Sequence, residues 1–310
     1  MAIVVVGTTF VDIKGFPHDI YIPDGRNAGA VEFIHGGVGR NVVEDIANIE
    51  LRPRYVSMVD HNAQGQEVLQ RLNNHKVDTR YVLSVENGMG LWLAVFDNTG
   101  DLAGSISRRP EFGPMIELIK EKGDEIFADA DSIIIEIDLD KELVKNVLRF
   151  AEKYHKKVFG VVANMSIASQ RRDFLQQIDC FVCNKLEAGI LFTDDFSDLS
   201  TEQLREEISR RVINARIPSM VVTAGSSGCV YADRNGIKGS YSARPVKVRD
   251  TTGAGDAFCA GVAIGLTYGK TLEESVAIGT KLASSVITVS DNVCPRFLPS
   301  ELGLNISVED

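Results

Sequence analysis

Short β-branched runs alternating with amphipathic stretches constrain the fold of this chain more than any other feature. The strand-like runs are Ile3 to Val6, Tyr55 to Val59, Ile133 to Ile137, Val158 to Val162, Phe181 to Cys183 and Met220 to Thr223. Helix-patterned stretches fall between them, among them Val42 to Leu51, Gln66 to Asn74, Leu143 to Tyr154 and Glu202 to Ala215. A strand that is apolar at nearly every position is covered on both faces, and an intervening helix lets the next strand run parallel. The pattern predicts an α/β fold with a mostly parallel central sheet and helices on both faces. With 310 residues, 44% of them hydrophobic, the chain can bury a large core. No repeat, linker or low-complexity tract divides it, so residues 1–310 are read as a single domain.

Two regions interrupt the alternation. About 11–34 and about 90–107 carry β-type sequence and turns (Pro23-Asp24-Gly25 and Asp97-Asn98-Thr99-Gly100-Asp101), with no helix between the strands. They are expected to pair as antiparallel strands outside the main sheet.

Composition excludes several classes. The net charge is −10 with Lys and Arg dispersed, which makes nucleic acid and anionic membranes poor partners. No apolar run reaches membrane-spanning length, and the start Met1 to Gly7 lacks a basic segment and reads as a buried strand. Five cysteines in a chain this long make no disulfide framework, and Cys180 and Cys183 on one strand face opposite sides. A cytoplasmic location is expected.

The chemistry concentrates in Asp250-Thr251-Thr252-Gly253-Ala254-Gly255-Asp256, which precedes the apolar run Ala257 to Ile264. Small residues at a helix start leave amides unpaired at the positive end of the helix dipole, a place suited to phosphate. An acid there repels a bound anion, but it suits a site where a hydroxyl must lose a proton while attacking phosphorus. Gly253, Ala254 and Gly255 are therefore candidate anion-hole amides, and Asp256 is the candidate base. Its ordinary pKa of about 4 means that it would accept the proton late in the transfer.

Three further constellations stand out. Gly36-Gly37-Val38-Gly39-Arg40-Asn41 opens a helix; Gly36, Gly37 and Gly39 would let a polyol lie against backbone, with Asn41 and Asp12 on its hydroxyls and Asn27 a weaker candidate. Asn184 and Glu187 share one face at a helix start after the Phe181 strand. Alone, that spacing is explained by an ordinary helix cap; a Mg²⁺ ion that keeps its water would also accept it. Thr223-Ala224-Gly225-Ser226-Ser227-Gly228 is a small-residue turn between two strands, either a simple hairpin or a place where nucleotide can approach.

On two runs the chain resembles the ribokinase (PfkB-type carbohydrate kinase) family: Gly36-Gly37-Val38-Gly39-Arg40-Asn41 near the N-terminus and Asp250 to Asp256 near the C-terminus. The likeness covers essentially the whole chain. It implies a ribokinase-like fold in which the unpaired β segments form a small lid over the substrate, often also the contact of a homodimer. It further implies an ATP-dependent kinase acting on a primary hydroxyl of a nucleoside or sugar. ATP would lie by Thr223, Gly225, Gly228 and Asn184, with Mg²⁺ on Asn184 and Glu187 through water. Asp250 and Thr252 would offer oxygens to a monovalent cation such as K⁺, and Glu136 would stand near the sugar. Within the family the chain looks most like pseudouridine kinases; ribose or fructose kinases and an inactive sensor are the alternatives. It departs from the family at His35, where proline is common, and at Gly160 to Ala163, where an Asp-Pro pair is common.

Two features are rejected as sites. Gly265 to Thr271 imitates a P-loop, but its glycine spacing is short and it follows a helix. The five histidines show no metal-ligand spacing.

Overall fold

The computed structural model describes residues 2–306. Its strands are β1 (Ala2–Val6), β2 (Phe10–Pro17), β3 (Gly29–Gly36), β4 (Arg54–Asp60), β5 (Asp78–Val85), β6 (Gly90–Phe96), β7 (Leu102–Arg108), β8 (Ala130–Glu136), β9 (Lys157–Val161), β10 (Cys180–Asn184), β11 (Ser219–Thr223), β12 (Cys229–Asp233) and β13 (Lys238–Tyr241). Nine strands form the main sheet in the order β13-β12-β11-β10-β9-β8-β1-β4-β5. Pairing is parallel from β5 to β11, and only the β11–β12 and β12–β13 pairings, at one edge, are antiparallel.

The continuous apolar strands follow from burial on two sides. Val4 and Val6 of β1 enter one core, while Ile3 and Val5 enter the other. Helices Gly113–Phe127, Lys141–Lys153 and Thr201–Ala215 cover the first face through residues such as Ile119, Val147 and Ile208. Helices Val38–Ala47, Ala63–Asn74, Ala254–Thr267 and Leu272–Val286 cover the second through Ile46, Leu72, Val262 and Leu282. One helix is displaced from its expected place: it spans Val38–Ala47, not Val42 to Leu51. Gly37 starts it early, and the chain leaves it through Glu50 at φ 60°, so Leu51 is buried from outside the helix.

The two interrupting regions form a separate four-stranded sheet, β3-β2-β6-β7, the expected lid. Each region pairs antiparallel within itself, as expected, but β2 and β6 join the two halves in parallel, which corrects the expectation of a wholly antiparallel sheet. The two faces of the lid differ. Asp12 pairs with Trp92, and Trp92 with Ser107, so these three side chains share one face. Phe33, Ile13, Leu93 and Ile106 align on the other face, and Phe33 and Ile106 are 58% and 70% exposed.

Strand β1 sits between β4 and β8, so the chain order reverses there. In open α/β sheets the crevice beyond the carboxyl ends of the strands at such a reversal is where ligands bind. Residues 7–9 after β1 and Glu136 at the end of β8 meet at this point. Elsewhere, the P-loop imitation is the end of one helix running into Thr271, which caps the next. All five cysteines are free and buried.

Candidate active site

The Ala254–Thr267 helix starts from Gly253, whose φ of 79° only glycine adopts readily. A side chain there would also collide with the Asn292 carbonyl, 1.9 Å from an ideal Cβ. The next amide is already committed: Ala254 N–H donates to the Thr251 carbonyl at 3.2 Å. This corrects the expected anion hole, because a bonded amide is a poor anion donor. Among the described residues, the Gly255 and Asp256 amides have no backbone acceptor. Gly255 also faces open space, with nothing within 4 Å of where its Cβ would stand. Of the three expected amides only Ala254 is shown committed; Gly253 borders neither cavity beside this loop, so the open amides at the cavity walls are those of Gly255 and Asp256.

This loop divides two cavities. One, of about 310 Å³, has Asp256 and Thr252 in its wall together with Asp12, Asn41, Trp92 and Glu136. The other, of about 500 Å³, takes Thr251, Ala254 and Gly255 as its share of the same loop, and its walls include Val246, Val248, Phe258 and Ile287. A polar chamber and a largely apolar chamber thus meet across one helix start.

Asp256 is half-buried, and its Oδ2 accepts a 2.6 Å hydrogen bond from Asn41 Nδ2. Burial raises its pKa to about 7; the Asn41 bond and the Arg40 charge oppose the rise, and Glu187 adds to it. The carboxyl is thereby tuned to a proton acceptor at neutral pH, which its sequence alone did not suggest. Asn41 is held in turn, because its Oδ1 accepts from the buried Arg40 guanidinium.

Glu136 is buried, and its carboxylate is committed to backbone. Oε1 accepts from Thr8 N and Gly39 N, both at 2.6 Å, and the Thr8 hydroxyl bonds the other oxygen. Its pKa is raised, first by burial and then by the nearby Asp138. Gly39 lies outside the cavity wall: a Cβ there would come within 2.6 Å of Gly7 Cα, so its smallness serves helix-to-strand contact. Gly36 and Gly37 do line the cavity. Asp12 lines it too, with a pKa raised by burial against the pull of Lys14 and Arg40. Asn27 is not brought there. Its amide closes its own loop, accepting from Ile22 N at 2.8 Å and donating to Ile22 O at 2.9 Å.

Sequence reasoning missed Trp92, Ser107, Arg109, Asp138 and Asn292, all in the wall of the same cavity. Asp138 accepts from the Ala163 and Asn164 amides and from Arg109. It organises the turn after β9 where the expected Asp-Pro pair is absent. The one available signal was the tryptophan, which lies in register with Asp12 on the next strand.

Thr223, Gly225 and Gly228 line the apolar cavity. Gly225 faces open space, but Gly228 is glycine for another reason, since its Cβ would lie 2.0 Å from the Tyr241 carbonyl. Asn184 is not in that wall. Asn184 and Glu187 form a reciprocal capping box, each side chain accepting from the other's backbone N–H at 2.8 Å. That occupies Glu187 Oε2 and Asn184 Oδ1. Among the described residues, no three His, Cys, Asp or Glu side chains are placed to hold a metal ion. Asp250 Oδ1 accepts from both Thr252 N and Thr252 Oγ1 at 2.9 Å, so the pair is a side-chain-closed turn.

A two-chamber crevice at a sheet reversal, with a carboxylate and open amides in the dividing wall, is laid out as group transfer between two ligands requires. The profile of the pfkB family of carbohydrate kinases matches residues 2–293, and the chain belongs to that family. It is a phosphotransferase that acts on a hydroxyl group. It is 35% identical to the guanosine-inosine kinase of Exiguobacterium acetylicum over 294 residues, covering 94% of this chain and 95% of that one. With the pseudouridine kinase of Escherichia coli K12 it shares 26% over 291 residues, covering 92% and 90%. The structure of Arabidopsis thaliana ribokinase complexed with ribose and ATP superposes with a TM-score of 0.81 at 22% identity, covering 99% of this chain and all of that one. The last likeness establishes the fold. The expected leaning toward pseudouridine kinases is weakened, because the guanosine-inosine kinase matches at higher identity. Among the described residues, no helix is long and apolar enough to cross a membrane.

Proposed function

We propose that this protein transfers the γ-phosphoryl group of ATP to a primary hydroxyl of a nucleoside, with a purine nucleoside as the preferred acceptor. The observation that carries the reading is the single loop, 251–256, shared by the two cavities. ATP fits the apolar chamber, with its base against Val246, Val248 and Ile287 and its terminal phosphate reaching Gly255. The acceptor lies in the polar chamber, its hydroxyl against Asp256. Only a small displacement then separates nucleophile from phosphorus, and positioning of this kind is most of what a phosphoryl-transfer enzyme supplies.

Asp256 Oδ2 is held by Asn41, leaving Oδ1 for the acceptor proton. The Gly255 and Asp256 amides stabilise charge on the migrating group. The proposed substrate contacts are Asp12, Gly36, Gly37 and Trp92. Glu136 acts at one remove, by holding Thr8 and the first turn of the Val38–Ala47 helix. The free Glu187 oxygen and the second lone pair of Asn184 Oδ1 would hold Mg²⁺ by accepting from its waters, which suits an ion that takes its other ligands from phosphates. Bound there, Mg²⁺ would offset phosphate charge. Asp250 and Thr252 are proposed to accept K⁺ through the oxygens their turn leaves free.

The nucleoside reading rests on Trp92, whose ring offers a flat partner for a base, and on the two relatives named for nucleoside substrates. The exposed Val31, Phe33, Leu93 and Ile106 on the outer lid face are proposed as a homodimer contact. An ADP-release assay across guanosine, inosine, pseudouridine, uridine, ribose and fructose tests the assignment. Turnover should be fastest with guanosine or inosine. Turnover confined to ribose or fructose would refute the nucleoside reading, and tight binding without turnover of any acceptor would make the protein a sensor.

A further inference from the structure

Arg40 lines neither cavity, yet it is fully buried within one turn of Asn41. We propose that Arg40 is a positioning residue that orients the Asp256 carboxylate through Asn41 and clasps it to the base of the lid. The inference rests on Asp256 being the base.

The geometry follows from what a guanidinium can do. It only donates hydrogen bonds. Arg40 NH2 donates to Asn41 Oδ1, which fixes which end of that amide is oxygen. The nitrogen end is thereby turned to Asp256, where it donates at 2.6 Å. An amide locked this way can offer Asp256 only a donor, so it favours the carboxylate over the acid. The same NH2 group donates to Asn292 Oδ1 at 3.0 Å and to the His35 carbonyl, near the end of β3. Asn292 is oriented by the same logic, and its Nδ2 donates to His35 O at 2.8 Å. The Asn292 backbone carbonyl is also the group that crowds Gly253. One side chain therefore joins the lid strand, the base and the glycine turn.

The charge of Arg40 is compensated from behind. Glu44 accepts from NH1 at 2.7 Å and is itself bonded by Arg71 at 2.7 Å, with His75 at 3.6 Å. Arg40 Nε is buried without a partner, so the side chain is committed through its fork alone. The charged and titratable groups near Asp256 are Arg40 and Asp45 on the Val38–Ala47 helix, Cys259 on its own helix and Glu187 across the crevice, with Glu44 behind Asp45.

The test compares Arg40→Met, Arg40→Lys and the double variant Arg40→Met/Glu44→Gln, which leaves no unpaired charge at Glu44 and keeps the question answerable if the single variant fails to fold. Steady-state kinetics on the full chain should show kcat reduced by about a hundredfold in both methionine variants, with acceptor KM nearly unchanged. The acidic limb of the rate profile should move up by about one pH unit in both. Arg40→Lys should restore the limb toward its original position while recovering only part of kcat. A folded double variant with unchanged kcat and limb would overturn the proposal. So would a loss of kcat that tracks the folded fraction without movement of the limb. Asp256→Asn, run alongside, separates the two readings. If it retains turnover, the base assignment has failed; if it is inactive while the Arg40 variants are normal, only the positioning role has failed.

Discussion

Two glycine-rich helix starts face the same crevice, and they have opposite fates. At the start of the Val38–Ala47 helix the anion-binding position is already filled. Glu136 Oε1 takes the Gly39 and Thr8 amides at 2.6 Å, and Gly39 packs on Gly7. At the start of the Ala254–Thr267 helix the position is open: nothing stands near Gly255, and a carboxyl with its pKa raised to about 7 waits beside it. Helix dipoles and bare amides make both places attractive to anions. The first is satisfied by the protein's own carboxylate and becomes structure. The second is kept for an anion from outside and becomes a site. Glycine content alone does not distinguish them; the partner of each amide does.

Removing the base from the open site should have the largest effect. Asp256→Asn should lower turnover by about 10²–10⁴-fold in the ADP-release assay, while thermal melting shows the fold intact. Filling the open position comes next. Gly255→Val should cut kcat by about a hundredfold with little change in acceptor KM and no loss of melting temperature, since its Cβ enters free space. A loss confined to acceptor affinity would remove Gly255 from the phosphate site. Gly39→Ala should show the reverse balance, because overpacking against Gly7 and Glu136 costs about 1–3 kcal/mol of stability by urea unfolding.

A smaller effect should appear in the pH profile. Below about 7 Asp256 keeps its proton and cannot accept another, and above it the carboxylate is free to do so. The kcat/KM ratio should therefore rise with pH through that region, and in Asp256→Asn this limb should vanish.

The parallel sheet and the two glycine runs were legible because each is local: apolar runs mark strands, and small residues mark helix starts. The strands of the second sheet were legible through their turns, but the parallel pairing of β2 with β6 was not. What could not be read was pairing across distance. Asp12, Trp92 and Ser107 come from three strands and reach the cavity together only through the register of β2, β6 and β7. Arg40 drew no role from the sequence, because its burial depends on Glu44 one turn later together with Arg71 from another helix. Asn27 failed as a candidate for the converse reason. Its side chain is used up within its own loop, which a residue type cannot reveal. Asn184 and Glu187 show how one spacing serves a cap and a ligand pair equally well; the reciprocal cap is what the side chains form.

The most direct measurement is a crystal structure with a non-hydrolysable ATP analogue and guanosine bound together. The terminal phosphate should accept hydrogen bonds from the Gly255 and Asp256 amides, and the acceptor's primary hydroxyl should lie within about 2.6–3.2 Å of Asp256 Oδ1. A terminal phosphate bound away from this helix start, or a hydroxyl out of reach of Asp256, would contradict the account.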